Sequence, residues 1–263
     1  PGARIIALSW DETTPQKLAA LLTWRRLGGS CLIVCEAMGG QRERLTRMRA
    51  DAFALAPIDA LNTVGIEIVA DPGAEIVSLA SGLADEMFEH DGQLTKRDIR
   101  AATLSALAPR RAEMLWDIGA GSGSIGIEWM LRHPRNRAIA IEAKHDRAAR
   151  IARNAARLGV PDLSVVEGTA PEALAGLPRP DAVFVGGGAS HAGVLDAAWA
   201  ALSRGGRVVV NAVTLETQAE LIRRYEAKGG ELVTLQIAVA EPLGGFHGFR
   251  PALPVMRWTA VKR

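Results

Sequence analysis

Two cysteines in 263 residues, Cys31 and Cys35, are too few for a disulfide framework. A lone C-x-x-x-C pair is also a poor metal site, so no metal is expected and both thiols should pack in or near a core strand. Net charge is scarce as well. The 31 Lys and Arg set against 29 Asp and Glu leave +2, and the basic residues are scattered rather than clustered. That pattern gives weak support for nucleic-acid binding, and no nucleic-acid partner is expected. No apolar run is long enough to span a membrane and no secretory leader is visible, which points to a soluble, cytoplasmic protein with no membrane partner. The chain opens at Pro1 without a methionine, directly ahead of an apolar strand, so a fragment or a processed product is expected.

The length allows one large domain or two smaller ones, and the chain divides near Pro72 to Leu83. Before the division, A-R-I-I-A-L-S reads as a strand. T-P-Q-K-L-A-A-L-L-T-W-R-R-L reads as a helix with Pro15 in its first turn. C-L-I-V-C-E-A-M and L-N-T-V-G-I-E-I-V-A give two more strands, and the charged Q-R-E-R-L-T-R-M-R-A between them reads as turn. Three strands and one helix make a thin unit, half a domain rather than a whole one. After the division, strand and helix alternate, which implies a mostly parallel sheet covered on both faces. The final strands, E-L-V-T-L-Q-I-A-V-A and V-M-R-W-T-A-V-K-R, have no helix between them and should form an antiparallel pair at one edge.

The most informative stretch is L-W-D-I-G-A-G-S-G-S-I-G-I-E-W-M, Leu115 to Met130. It reads as a strand, a glycine turn and a helix whose unpaired N–H groups face the turn. Gly121, Gly123 and Gly126 also satisfy the dinucleotide pattern G-x-G-x-x-G, with Glu142 about 20 residues on, so NAD remains an alternative. Asp117 separates the two. A carboxylate at the strand end is unwelcome beside a pyrophosphate but useful near the sulfonium and ammonium of S-adenosylmethionine.

At this point a family resemblance emerges. D-I-G-A-G-S-G resembles the first motif of class I methyltransferases, and L-S-R-G-G-R-V-V-V resembles their late strand. F-E-H-D-G-Q-L-T-K-R-D-I-R, V-F-V-G-G-G, N-A-V-T-L-E-T and E-P-L-G-G-F add a likeness to the C-terminal domain of the decarboxylating precorrin-6Y C(5,15)-methyltransferases of cobalamin synthesis. The resemblance covers roughly Gly82 to Arg263. Residues 1–77 resemble the second half of that family's N-terminal tetrapyrrole-methylase domain, without its glycine-rich first half. The implied architecture is a class I S-adenosylmethionine-dependent methyltransferase domain over 82–263. It is Rossmann-like, with a mostly parallel seven-stranded sheet and an antiparallel edge strand, and it follows a small partial α/β region. The implied activity is methylation of a precorrin at carbon-15 with loss of carboxylate from the ring C acetate.

The resemblance also assigns residues. Thr95 would contact the cofactor; its spacing to Asp98 independently matches a helix N-terminal cap. Gly119, Ala120, Gly121, Ser122 and Gly123 would wrap the methionine part of S-adenosylmethionine. Asp117 would support that loop or the ammonium, Glu142 would accept both ribose hydroxyls, and Thr169 and Ala170 would flank the adenine.

On the substrate side, Gly186, Gly187 and Gly188 stand where base-modifying methyltransferases carry N/D-P-P-Y/F. They could seat a flat macrocycle or simply form a flexible loop. A polycarboxylate substrate calls for cations, with Arg97, Arg100, Arg250 and Arg257 as candidates. His90, His191, His247 and Glu241 are the titratable groups to test for returning a proton after decarboxylation; none has a specific motif, so no catalytic acid is assigned. A homo-oligomer, tetrameric by resemblance, is expected through the apolar G-G-F-H-G-F. An RNA or protein methyltransferase of the same fold, or a cofactor-binding module of a larger enzyme, are the alternatives.

Overall fold

The computed structural model describes residues 2–263, which form two compact units meeting in sequence at Ile76 and Val77. The first unit contains β1 (Arg4–Leu8), α1 (Thr14–Trp24), β2 (Cys31–Glu36), β3 (Arg44–Arg49) and β4 (Asn62–Glu67). Its sheet has the order β1-β4-β2-β3 and is antiparallel throughout. Strand alternation puts Leu32, Val34, Val64 and Ile66 on one face, where they pack against Ala19 and Leu22 of α1. Cys31 and Cys35 are free thiols on β2, half-buried.

The charged stretch read as turn is in fact β3, so the unit has four strands rather than three. A strand rich in arginine suits a sheet edge, where charge keeps the unpaired backbone solvated. Arg44 also has a specific reason to be there. Its guanidinium binds both oxygens of the buried Glu36 carboxylate at 2.6 Å. That pairing holds the Glu36 carboxyl below the usual carboxylate range.

The second unit comprises α2 (Arg97–Leu107), β5 (Met114–Ile118), α3 (Ser124–Leu131), β6 (Arg137–Glu142), α4 (His145–Arg157), β7 (Ser164–Glu167), β8 (Ala182–Val185), α5 (Val194–Ala201), β9 (Arg207–Ala212), α6 (Leu215–Lys228), β10 (Glu231–Leu235), β11 (Ala238–Leu243), β12 (Phe246–Pro251) and β13 (Val255–Val261). Seven strands run in the order β10-β13-β9-β8-β5-β6-β7. Those from β7 to β9 are parallel, while β13 is antiparallel to both β9 and β10. This is the expected class I methyltransferase sheet. The central strands are apolar on both faces because helices cover both. Phe184 and Val209 meet Leu104, Leu107 and Trp129 on one side, and Val183 and Val210 meet Leu195, Leu221 and Trp258 on the other.

Two local expectations are corrected. E-L-V-T-L-Q-I-A-V-A is not one strand: β10 ends at Leu235, and β11 pairs with β12 in a separate hairpin. Gly244 and Gly245 lie between the paired Leu243 and Phe246, a two-residue loop of the kind that closes a hairpin. Thr95 does not cap α2. The helix starts at Arg97 with Lys96 at the cap position and no side-chain cap bond, so Thr95 lies one residue too early to cap it; its carbonyl is bound by the Arg100 side chain.

Candidate active site

A cavity of about 780 Å³ opens at the C-terminal ends of the parallel strands. Strand order reverses there, β6 lying on one side of β5 and β8 on the other, which is where open α/β sheets place ligands. Thr95, Gly119, Ala120, Gly121, Glu142, Thr169 and Ala170 all line it. Asp117, Ser122 and Gly123 stand behind this lining and shape it. Asp117 Oδ2 accepts the Gly126 N–H at 2.9 Å, pinning the first turn of α3. The Ser122 carbonyl accepts from Asn154 Nδ2. Gly123 has φ +76°, and a Cβ there would sit 2.7 Å from Ile151 Cγ2.

Glu142, at the end of β6, is buried yet reaches the cavity. Its oxygens accept the N–H of Gly121 at 2.9 Å and of Lys144 at 3.0 Å. The carboxylate therefore has a fixed orientation, with lone pairs left for two further donors. The glycines after β8 show a third role beyond the two anticipated. A Cβ on Gly119 would lie 2.8 Å from Gly187 N and O, so the glycine turns after β5 and β8 pack backbone to backbone.

One wall of the cavity is the segment Gly92–Ile99. It is strapped to α4 by Asp91, whose carboxylate meets Arg147 at 2.8 Å and Arg150 at 3.3 Å, and by Glu89 on Arg153 at 2.9 Å. The paired arginines hold the Asp91 carboxyl far below the usual range. Behind the wall lies the buried pair of Arg100 and Glu128, joined at 2.6 Å with both side chains fully enclosed. Arg100 also donates to Asp85 Oδ1 and to the carbonyls of Thr95 and Leu83, and Glu128 accepts the N–H groups of Gly82 and Leu83.

These contacts revise the substrate-side candidates. Arg100 is structural, since a guanidinium this enclosed has no face for a ligand. Arg257 is largely buried and spent on the Ala102 carbonyl and Glu231. Arg250 sits on the exposed hairpin, paired with Glu241. Arg97 alone of the four lines the cavity, joined by Lys96 and Arg147, which sequence reasoning passed over. Lys96 directly follows Thr95, and Arg147 lies in the first turn of the helix after Glu142, so both are close in sequence to the motifs. Among the titratable candidates His191 lines the cavity, while His90, His247 and Glu241 do not.

Burial pushes the Asp117 carboxyl up to about 7; the Gly126 N–H opposes the shift and the nearby Glu142 charge adds to it. Between pH 3.8 and about 7 the folded chain then holds a proton that the unfolded chain releases. The resulting stabilisation is full below pH 3.8 and declines as pH rises through 7, by roughly 4 kcal/mol in all. Asp117→Asn keeps the acceptor for Gly126 and removes the titration. The variant should therefore gain stability relative to the parent chain as pH rises from 5 to 8. Urea unfolding at each pH checks this, and a constant difference between the two proteins would refute it.

A model of the precorrin methyltransferase domain matches residues 86–262. The decarboxylating precorrin-6Y C(5,15)-methyltransferase of Sinorhizobium sp is 55% identical over 262 residues, covering 100% of this chain and 63% of the relative. The chain thus spans less than two thirds of that relative's length. The decarboxylating cobalt-precorrin-6B C(15)-methyltransferase of Salmonella typhimurium is 33% identical over 179 residues, covering 66% of this chain and 92% of the relative. Among solved structures, the C-terminal domain of precorrin-6Y C5,15-methyltransferase from Rhodobacter capsulatus superposes with a TM-score of 0.67 at 47% identity, over 70% of this chain and 100% of that domain.

Proposed function

Because the chain belongs to the precorrin methyltransferase family, we propose that it transfers a methyl group from S-adenosylmethionine to carbon-15 of a precorrin and removes carboxylate from the ring C acetate, within cobalamin biosynthesis. The observation that carries this reading is the cavity itself, with Glu142 and the glycine turn on one side and an apolar end on the other.

The residues fit S-adenosylmethionine. Glu142 offers a fixed buried carboxylate for a pair of vicinal hydroxyls. Gly119 and Gly121, both at positive φ, turn the backbone along the cavity wall, and Thr169 and Ala170 flank the remaining edge. When bound, that cofactor supplies an electrophilic methyl on sulfur. The protein's own share is alignment and exclusion of water, which can account for much of the barrier reduction in an in-line displacement. Gly92–Ile99 closes one wall over the reacting centre, and Lys96, Arg97 and Arg147 offer charge to rim carboxylates of the substrate. Loss of carbon dioxide leaves an electron pair that the conjugated macrocycle absorbs. His191, on the loop after β8, lines the cavity and is the imidazole we read as returning a proton to the new methyl group.

Residues 1–77 are read as the C-terminal half of a tetrapyrrole-methylase domain, and the second unit as the part that carries the C-15 chemistry. The reading includes a cytoplasmic location, no nucleic-acid partner and self-association, read as a tetramer, through the β11–β12 hairpin. Val239, Leu243, Phe246 and Phe249 of that hairpin are exposed. Replacing Phe246 and Phe249 together by serine should lower the mass measured by light scattering to that of the monomer; an unchanged mass would place the interface elsewhere. The proposed reaction is tested by incubating the chain with precorrin-6Y and S-adenosylmethionine labelled in the methyl group. One methyl incorporated and one carbon dioxide released per macrocycle are expected. Neither product, from a chain that binds the cofactor, would rule out this substrate.

A further inference from the structure

The loop from Glu89 to Thr95 is pinned at both ends by buried groups. At its start the Glu89 N–H donates to Asn154 Oδ1 at 2.8 Å, and the Glu89 carbonyl accepts from Asn154 Nδ2 at 3.0 Å. Asn154 is buried on α4, and the same amide holds the Ser122 carbonyl of the glycine turn. At the other end the Thr95 carbonyl is bound by the enclosed Arg100 guanidinium. Gly92, Gln93 and Leu94, between the anchors, line the cavity. Over this stretch the loop is tied to α4 by the Asp91 carboxylate.

The two oxygens of Asp91 do different things. Oδ2 accepts from Arg147 Nε at 2.8 Å and lies 3.3 Å from Arg150 Nη1, two residues that share a face of α4. Oδ1 accepts the Gln93 N–H at 3.1 Å and so fixes the turn that presents the Gln93 carbonyl. A Cβ on Gly121 would lie 3.2 Å from that carbonyl oxygen, so the loop rests on the glycine turn backbone to backbone. The Gly121 N–H in turn donates to Glu142, and α4 begins three residues after Glu142. Asp91 thereby closes a ring of contacts that runs from Glu142 through Gly121, Gln93 and Arg147 and back along the chain to Glu142.

We infer that Asp91 is a positioning residue for the cofactor, holding Gln93 against Gly121 so that the glycine turn and Glu142 keep their binding geometry. This rests on the methyltransferase reading above. The ion pairs of Asp91 are partly exposed, and such pairs add little to global stability. A wall already held in its bound position, by contrast, spares the ligand the cost of ordering it. The signature of the role is therefore a loss of affinity without a matching loss of stability. Glu89 supplies the contrast. Its side chain makes a similar exposed pair with Arg153 at 2.9 Å, but its backbone is pinned independently by Asn154, so losing that pair leaves the loop in place.

Calorimetry with S-adenosylhomocysteine at low and high salt, with thermal unfolding alongside, tests the assignment. Asp91→Ala should weaken binding about ten-fold while the unfolding midpoint stays within about 3 °C of the parent chain. Asp91→Asn keeps an acceptor for Gln93 but loses the charge, so its affinity should fall between the two. Glu89→Gln should weaken binding less than about two-fold. Raising salt from about 0.05 M to about 0.5 M should cost the parent more affinity than Asp91→Ala, which lacks the pair that salt screens; a packing defect would not produce that difference. Parental affinity in both Asp91 variants would overturn the assignment. So would an equal loss in Glu89→Gln, or a large fall in the unfolding midpoint alongside the affinity, and each of these leaves the cofactor reading standing. A parent chain that binds no S-adenosylhomocysteine would overturn the cofactor reading and this assignment with it.

Discussion

Replacing Gly119 by alanine is expected to abolish measurable binding of S-adenosylhomocysteine and to cost about 3 kcal/mol of stability. Two independent penalties combine. Gly119 has φ +70°, a backbone conformation that side chains rarely adopt, and a Cβ there would meet Gly187 N, O and Cα at 2.8 to 2.9 Å. Those atoms are backbone on the adjoining strand end, so relief requires the turns after β5 and β8 to move apart. The cavity wall that should hold the methionine part of the cofactor moves with them. Gly187→Ala is the control. Its Cβ would meet nothing closer than 3.8 Å, so cofactor affinity and stability should stay near those of the parent chain. Calorimetry and thermal unfolding of the two variants decide the matter. Equal damage from both would mean that the glycines after β8 serve the ligand directly rather than making room for Gly119.

Arg100→Ala should be nearly as severe, at about 3 to 5 kcal/mol, because it leaves the Glu128 carboxylate charged and enclosed without its partner. The loss reaches the site through the backbone. Arg100 ties the Thr95 and Leu83 carbonyls to one guanidinium, and Glu128 ties the Gly82 and Leu83 N–H groups to the same centre. With the pair broken, the segment leading into α2 loses its anchor and S-adenosylhomocysteine affinity should fall with the stability. Arg100→Lys should rescue little, since one ammonium cannot reproduce four directed contacts in a planar fork. Chemical unfolding would reveal this directly. A lysine variant with parental stability would show that charge alone, and not the fork geometry, holds the segment.

The comparison between Arg100 and Gly119 shows what can be read from sequence and what cannot. The strand, turn and helix over Leu115–Met130 is a local pattern, so its glycines, its strand-end carboxylate and the acidic residue about 20 positions on can be located from order alone. Arg100 looks the same in sequence whether it meets solvent or lies at the centre of a core. Its partner Glu128 is 28 residues away, brought close only by the packing of α2 against α3. The same limit explains β3: an arginine-rich stretch reads as turn until the buried Glu36 across the strand pair accounts for Arg44. The hairpin was legible in principle from Gly244 and Gly245, but the run of β-formers before it masked the break at Gln236.

The most direct test of the account is calorimetric titration of the chain and of Glu142→Ala with S-adenosylhomocysteine, with NAD run in parallel. Saturable binding of S-adenosylhomocysteine is predicted, with no heat from NAD and a loss on the order of 100-fold in the variant, as expected for two hydroxyl bonds to a charged acceptor. Heat from NAD, or from neither ligand, would contradict the methyltransferase assignment and reduce the glycine turn to a packing element.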